Sequence, residues 1–214
     1  PESLAHMRAL ERCLKAVQVE YSQFKAVTFF GSRIIGMERA DSDIDAFVYC
    51  DVTEFANEDA VKQADTRVRE IVRNEWDEAF KESAGNEHFH LQLVNCAENE
   101  INLCVYHFVR QEAITPHNVE SSWIDRVVVT PFLLSTGNIY PIRRKILSLI
   151  EREENSEELY KKLIAHLEHL ERTDSRKTSS KHAKSLIYGK FPATLEEGKK
   201  YFLDKESVYN KSEY

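Results

Sequence analysis

Phe29-Phe30-Gly31-Ser32-Arg33-Ile34-Ile35-Gly36-Met37-Glu38-Arg39-Ala40-Asp41-Ser42-Asp43-Ile44-Asp45-Ala46-Phe47-Val48 is the stretch that decides how this chain folds. It reads as the end of an apolar strand, a Gly-Ser turn, a short helix over 32–38, and a second strand carrying two carboxylates. Residues i and i+2 of a strand share a face, so Asp43 and Asp45 project together with Cα atoms about 6.5–7 Å apart. Ile44 points the other way, into apolar packing. Two carboxylates so placed suit a hard divalent cation such as Mg²⁺. Gly31 lets a backbone approach closely. Ser32 opens a helix, whose unpaired N–H groups and dipole favour an anion. The turn is not a P-loop, because no G-x-x-x-x-G-K-[ST] occurs, and G-x-G-x-x-G is absent as well.

Gly31-Ser32, Gly36 and Ser42-Asp43-Ile44-Asp45 together resemble the signature of the polymerase-beta-type nucleotidyltransferase superfamily, in its short bacterial, antibiotic-modifying or minimal branch. The dense similarity covers residues 29–48. The resemblance implies an α+β fold, a mixed sheet with packed helices followed by a C-terminal helical bundle. It implies transfer of a nucleoside monophosphate from a nucleoside triphosphate, ATP or another, to a hydroxyl, with release of pyrophosphate. Gly31 and Ser32 would hold phosphates, and Asp43 and Asp45 would hold Mg²⁺ in a two-ion site of in-line displacement. Arg33 and Arg39 flank the motif and are nucleotide-contact candidates, although Arg39 also suits an ion pair with Asp41.

The family's third carboxylate comes from a later strand. The alternation of 88–94 and 100–106 predicts a hairpin turning near 95–99. Phe89, Leu91 and Leu93 would share one face with Ile101, Leu103 and Val105. His88, His90 and Gln92 would share the other with Glu100, Asn102 and Cys104. The family position then falls on Asn102, a departure. Three readings stay open: the longer Glu100 reaches the site, the site catalyses weakly, or Asn102 replaces a natural Asp with its isosteric, uncharged analogue. His88 and His90 are candidates for a base or a metal ligand, but no third His or Cys stands at zinc spacing, which favours cross-strand packing.

Leu4 to about Glu20 and Glu58 to about Ser83 have helical spacing. After about residue 121 helical patterns take over, at 142–154, 157–171, 175–188 and 195–203. The expected organisation is a catalytic domain over 1–111, a linker over 112–120 and a helical domain over 121–214. Arg172–Lys184 holds five Lys/Arg against one Asp. Lys181 and Lys184, at i,i+3 on one helical face, are candidates to neutralise a triphosphate. Arg143-Arg144-Lys145 is a weaker basic cluster, and His166 and His169 read as surface residues. Trp123, Tyr140 and Tyr188 could stack on a base but fit packing better.

The 214 residues are 42% hydrophobic, enough for a real core. A net charge of -7 argues against nonspecific nucleic-acid binding, and no DNA duplex is expected as partner. The expected acceptor is a small molecule or an RNA end, and a protein partner or a second copy is compatible with the sequence. Four cysteines without C-x-x-C spacing fit a reduced setting. Without a secretory leader or a bilayer-length apolar run, the expected location is the cytoplasm, with no membrane partner. A competing reading from another class is a catalytically weakened regulator that binds nucleotide or protein, such as one half of a toxin–antitoxin pair.

Overall fold

A computed structural model describes residues 2–30, 44–80, 89–110, 123–133, 135–175 and 191–204. The architecture is α+β. Helix α1 (Glu2–Glu20) leads into strand β1 (Phe24–Phe30). Strand β2 (Ile44–Cys50), helix α2 (Glu58–Phe80), strand β3 (Phe89–Asn95) and helix α3 (Glu98–Arg110) follow. A π-helical turn (Asp125–Val129) runs into a 3-10 turn (Thr130–Phe132) and the short strand β4 (Ser135–Gly137). Helices α4 (Tyr140–Glu151), α5 (Ser156–Ser175) and α6 (Leu195–Leu203) complete the chain.

The sheet is mixed, in the order β3-β2-β1-β4. β1 is antiparallel to both β2 and β4, whereas β3 runs parallel to β2, with α2 as the crossover. β2 is buried on both faces from Ala46 to Cys50, as the strand run Ala-Phe-Val-Tyr-Cys requires of a central position. Val48 turns toward α1 and α2: a small apolar cavity there is lined by Cys13, Leu14, Val17, Val27, Val48, Val68, Val72 and Leu91. Period-two alternation puts Asp45, Phe47 and Tyr49 on the opposite face. There Tyr49 is fully buried, and its hydroxyl shares hydrogen bonds with those of Thr28 on β1 and Thr130 in the 3-10 turn.

The predicted hairpin is half right. Its first arm is β3, but its second arm, and with it Cys104, lies in a helix. Asn95 Oδ1 accepts from the N–H of Ala97 at 3.0 Å, turning the chain out of the strand. Glu98 and Glu100 then occupy the favourable first turn of α3. Ile101, Cys104, Val105 and Phe108 are buried, an i, i+3, i+4, i+7 stripe, while Leu103 is 46% exposed. Over seven residues, Ile101, Leu103 and Val105 mimic a strand; Phe108 shows the longer period. A second difference is β4, which forms where no strand is predicted. Gly137 sits at φ 85°, and a Cβ there would strike Lys25 O and the Leu14 side chain. Only glycine therefore lets this backbone lie so close to β1.

Arg143, from the weaker basic cluster, is the largest fully buried side chain among the described residues. Its Nε donates to Pro131 O at 2.7 Å and its Nη1 to Phe202 O at 3.1 Å. Its Nη2 donates to Leu133 O at 3.0 Å and to Ser135 Oγ at 2.8 Å. One planar fork thus ties α4 to the chain leading into β4 and to α6. Within α6, one turn before Phe202, Gly198 faces the Tyr160 ring with no room for a Cβ, and Tyr160 donates to Pro192 O at 3.1 Å.

All four cysteines are free, and burial pushes Cys13, Cys50, Cys96 and Cys104 up to about 12 from an ordinary 9.0. Unfolded thiols ionise near 9, so above that pH the native state keeps protons that the unfolded state releases. This stabilisation is whole below 9 and is lost as pH climbs toward 12. The urea midpoint is expected to fall between about pH 7 and about pH 10 through this linkage. An unchanged midpoint would show the thiols ionising equally well in the fold. Arg143→Lys, which cannot reproduce the fork, is expected to leave buried carbonyls unpaired and cost about 2–4 kcal/mol by urea denaturation. A cost near zero would mean that the fork does not hold this half together.

Candidate functional site

The face of the sheet that holds Asp45 is covered unevenly. Around Tyr49 it lies under the Thr130 turn, and Phe47 is 8% exposed. The Asp45 side chain, two residues nearer the start of β2, is 26% exposed. This open end is where β1 finishes and β2 and β3 begin, with Phe30 and His90 as the residues in register with Asp45.

His90 Nδ1 lies 3.3 Å from Asp45 Oδ1. The parallel register explains the meeting. Direct partners on adjacent strands share a face, so Asp45 and Phe47 stand beside His90 and Gln92. The His90 side chain is 57% exposed, so the pair is wet on its outer side. Gln92 Oε1, farther in along the same face, is buried and has no hydrogen-bond partner among the described residues. An orphaned buried carbonyl costs free energy unless something satisfies it. The open end of the face therefore offers a carboxylate, an imidazole and an amide acceptor in a row.

Of the predicted site residues, Gly31, Ser32, Arg33, Arg39, Asp43, Lys181 and Lys184 lie outside the described residues, as does His88. The placement of Glu100 and Asn102 is corrected: the hairpin strand that would carry them to the third-carboxylate position does not form. Both stand on α3, where Asn102 is exposed and Glu100 Oε1 lies 3.9 Å from Cys104 Sγ. The strand that does flank Asp45 is β3, whose residues 89–95 include no carboxylate. Trp123 is 38% exposed beside His107, and Tyr188 is outside the described residues.

Sequence reasoning missed a second polar group. His166 is not a surface residue: its side chain is 16% exposed, and Nδ1 lies 3.2 Å from Asp125 Oδ1 in the π-helical turn. That oxygen has no aligned hydrogen-bond partner among the described residues. One turn back on α5, Lys162 donates to Phe108 O at 2.5 Å, and burial lowers its ammonium below the ordinary range. The i,i+4 spacing of Lys162 and His166 beside Leu159, Leu163 and Leu167 is the signal that could have found it. These contacts link α5 to the end of α3 and to the π-helical turn.

Among the described residues no group of three or more His, Cys, Asp or Glu is arranged to hold a metal ion. No described helix is long and apolar enough to cross a membrane. No protein-family model matches the chain, and neither does a curated protein or a solved structure.

Asn102→Asp is expected to change stability by no more than about 0.5 kcal/mol, as for other exposed helix positions, and to leave divalent-cation binding unaltered. Tighter binding of Mg²⁺ by this variant in isothermal titration would return Asn102 to the site.

Proposed function

We propose that this chain is a divalent-cation-dependent nucleotidyltransferase, passing a nucleoside monophosphate from a nucleoside triphosphate to a hydroxyl of a small molecule or an RNA end. The reading rests on the Gly31-Ser32 and Asp43-Ile44-Asp45 spacing. The observation that carries it furthest is the place of Asp45, on a half-open sheet end beside an orphaned amide acceptor. The donor chemistry fits a hard cation: a carboxylate that is neither fully buried nor fully solvated, with a second carboxylate two residues away in sequence.

Asp43 and Asp45 would hold the cation, which supplies charge neutralisation on the transferring phosphoryl group. The chain's own residues do the rest by position. Gly31 and Ser32 would place the triphosphate, with Arg33 and Arg39 beside it and Lys181 and Lys184 as further cationic contacts. Phe47 and Tyr49 anchor the strand under Asp45, so the carboxylate is held by a rigid element rather than a loop. Holding acceptor and triphosphate in line would supply most of the rate, with no covalent intermediate on the protein.

A second reading is kept by one observation, the lack of any carboxylate in β3. A nucleotide-binding regulator with weakened turnover would have that composition.

Label transfer separates the two. The protein would be incubated with each α-phosphate-labelled nucleoside triphosphate, a divalent cation, and small-molecule, RNA or protein fractions of a cell extract. Label is expected in the small-molecule or RNA fraction, and a fall of at least about 100-fold with Asp43→Ala/Asp45→Ala. Triphosphate binding without transfer to any fraction would favour the regulator.

A further inference from the structure

Asp45 and His90 meet across two parallel strands, and the pair defines more than an exposed polar contact. The separation of 3.3 Å between Nδ1 and Oδ1 matches that of two adjacent ligands about 2.2 Å from one ion, close to a right angle apart. Both side chains spring from strands locked in register by backbone hydrogen bonds, so their spacing is built in. Gln92 supplies an independent observation. Gln92 stands two residues farther along the same strand face, with Cα atoms about 6.5–7 Å apart, and its Oε1 is buried and lacks a partner among the described residues. A water carried by a bound cation is a donor that would satisfy it, in the manner of outer-shell partners at metal sites.

The donor set then says which cation. Mg²⁺ takes oxygen ligands and keeps its waters, whereas imidazole nitrogen suits first-row transition metals. We propose that Asp45 and His90 form a mixed oxygen–nitrogen metal site, with Gln92 as its outer-shell acceptor, which selects a divalent transition-metal ion such as Mn²⁺ over Mg²⁺. The proposal rests on the nucleotidyltransferase reading only in taking this face as the cation-binding one. His90 binds through a neutral ring nitrogen, in the place on the neighbouring strand where no carboxylate stands.

The test uses Mn²⁺ alone, without nucleotide, on the full chain. Binding is read from the loss of the free-ion electron paramagnetic resonance signal in excess Mg²⁺, and ligation from nitrogen modulation in the pulsed spectrum. Wild type is expected to retain Mn²⁺ against Mg²⁺ and to show coupling to one histidine nitrogen. His90→Ala is expected to lose that coupling and about tenfold or more in Mn²⁺ affinity. His90→Asp, which restores an oxygen ligand, is expected to bind Mn²⁺ without nitrogen coupling and to let Mg²⁺ compete. No Mn²⁺ binding by wild type, Mn²⁺ bound without nitrogen coupling, or coupling that survives in His90→Ala would each overturn the proposal. The wild-type spectrum decides the matter even if a variant fails to fold. Label transfer supported by Mg²⁺ in a protein without nitrogen coupling would sink this inference and leave the transferase reading standing. Nitrogen coupling without any transfer would do the reverse.

Discussion

The guanidinium of Arg143 is the constraint on which the second half of the chain depends. A buried cation is tolerated only when hydrogen bonds replace its water, because the desolvation cost is otherwise several kcal/mol. Here the fork finds three backbone carbonyls and a serine hydroxyl. Those acceptors belong to residues 131, 133, 135 and 202, so satisfying one side chain prescribes the path of two separate segments. A lysine's single ammonium could not dictate that path, since it lacks the planar geometry. The route that follows brings Thr130 over Tyr49 and delivers Ser135–Gly137 to the free side of β1.

That arrangement accounts for the shape of the candidate site. Tyr49 is clamped between Thr28 and Thr130, so one end of the sheet face is closed. Four residues earlier on the same strand face, Asp45 is left partly open. The gradient from buried aromatic to wet carboxylate is a property of one strand only seven residues long. Asp45 gains a rigid base without losing access to solvent.

The helices with long apolar stripes were legible in the sequence, and so were β1 and β2, because period and length agreed there. Leu14 and Val17 in α1, and Ala64, Val68, Ile71 and Val72 in α2, are core residues as their spacing predicts. Residues 100–106 misled because a window of seven can satisfy both periods. The decisive residues were Phe108, outside the window, and Asn95, whose side chain turns the chain into α3. β4 is three residues long and exists only because β1 offers an edge and Gly137 can approach it, which no local pattern encodes. Arg143 reads as surface charge beside Arg144 and Lys145; its burial follows from acceptors up to 59 residues away. In the candidate site, the motif singles out Asp45 as a strand carboxylate, and the structure places it at the start of β2. His90 was legible as a candidate base or metal ligand on the polar face of 88–94, but its pairing with Asp45 was not, because that requires the parallel register of β3 on β2.

The position of β4 has a bearing on how the chain can be handled and how it evolves. With β4 in place, β1 is an interior strand, hydrogen-bonded on both sides. A fragment ending before residue 123 would turn β1 into an exposed edge, and Ala26-Val27-Thr28-Phe29-Phe30 is an apolar, uncharged run of the kind that templates intermolecular pairing. Natural edge strands carry lysines, prolines or bulges against this hazard, and the far half of β1 has none of the first two. The later part of the chain therefore acts as an intramolecular guard for the earlier part. Any rearrangement that separated the two would have to supply a substitute for three residues of strand.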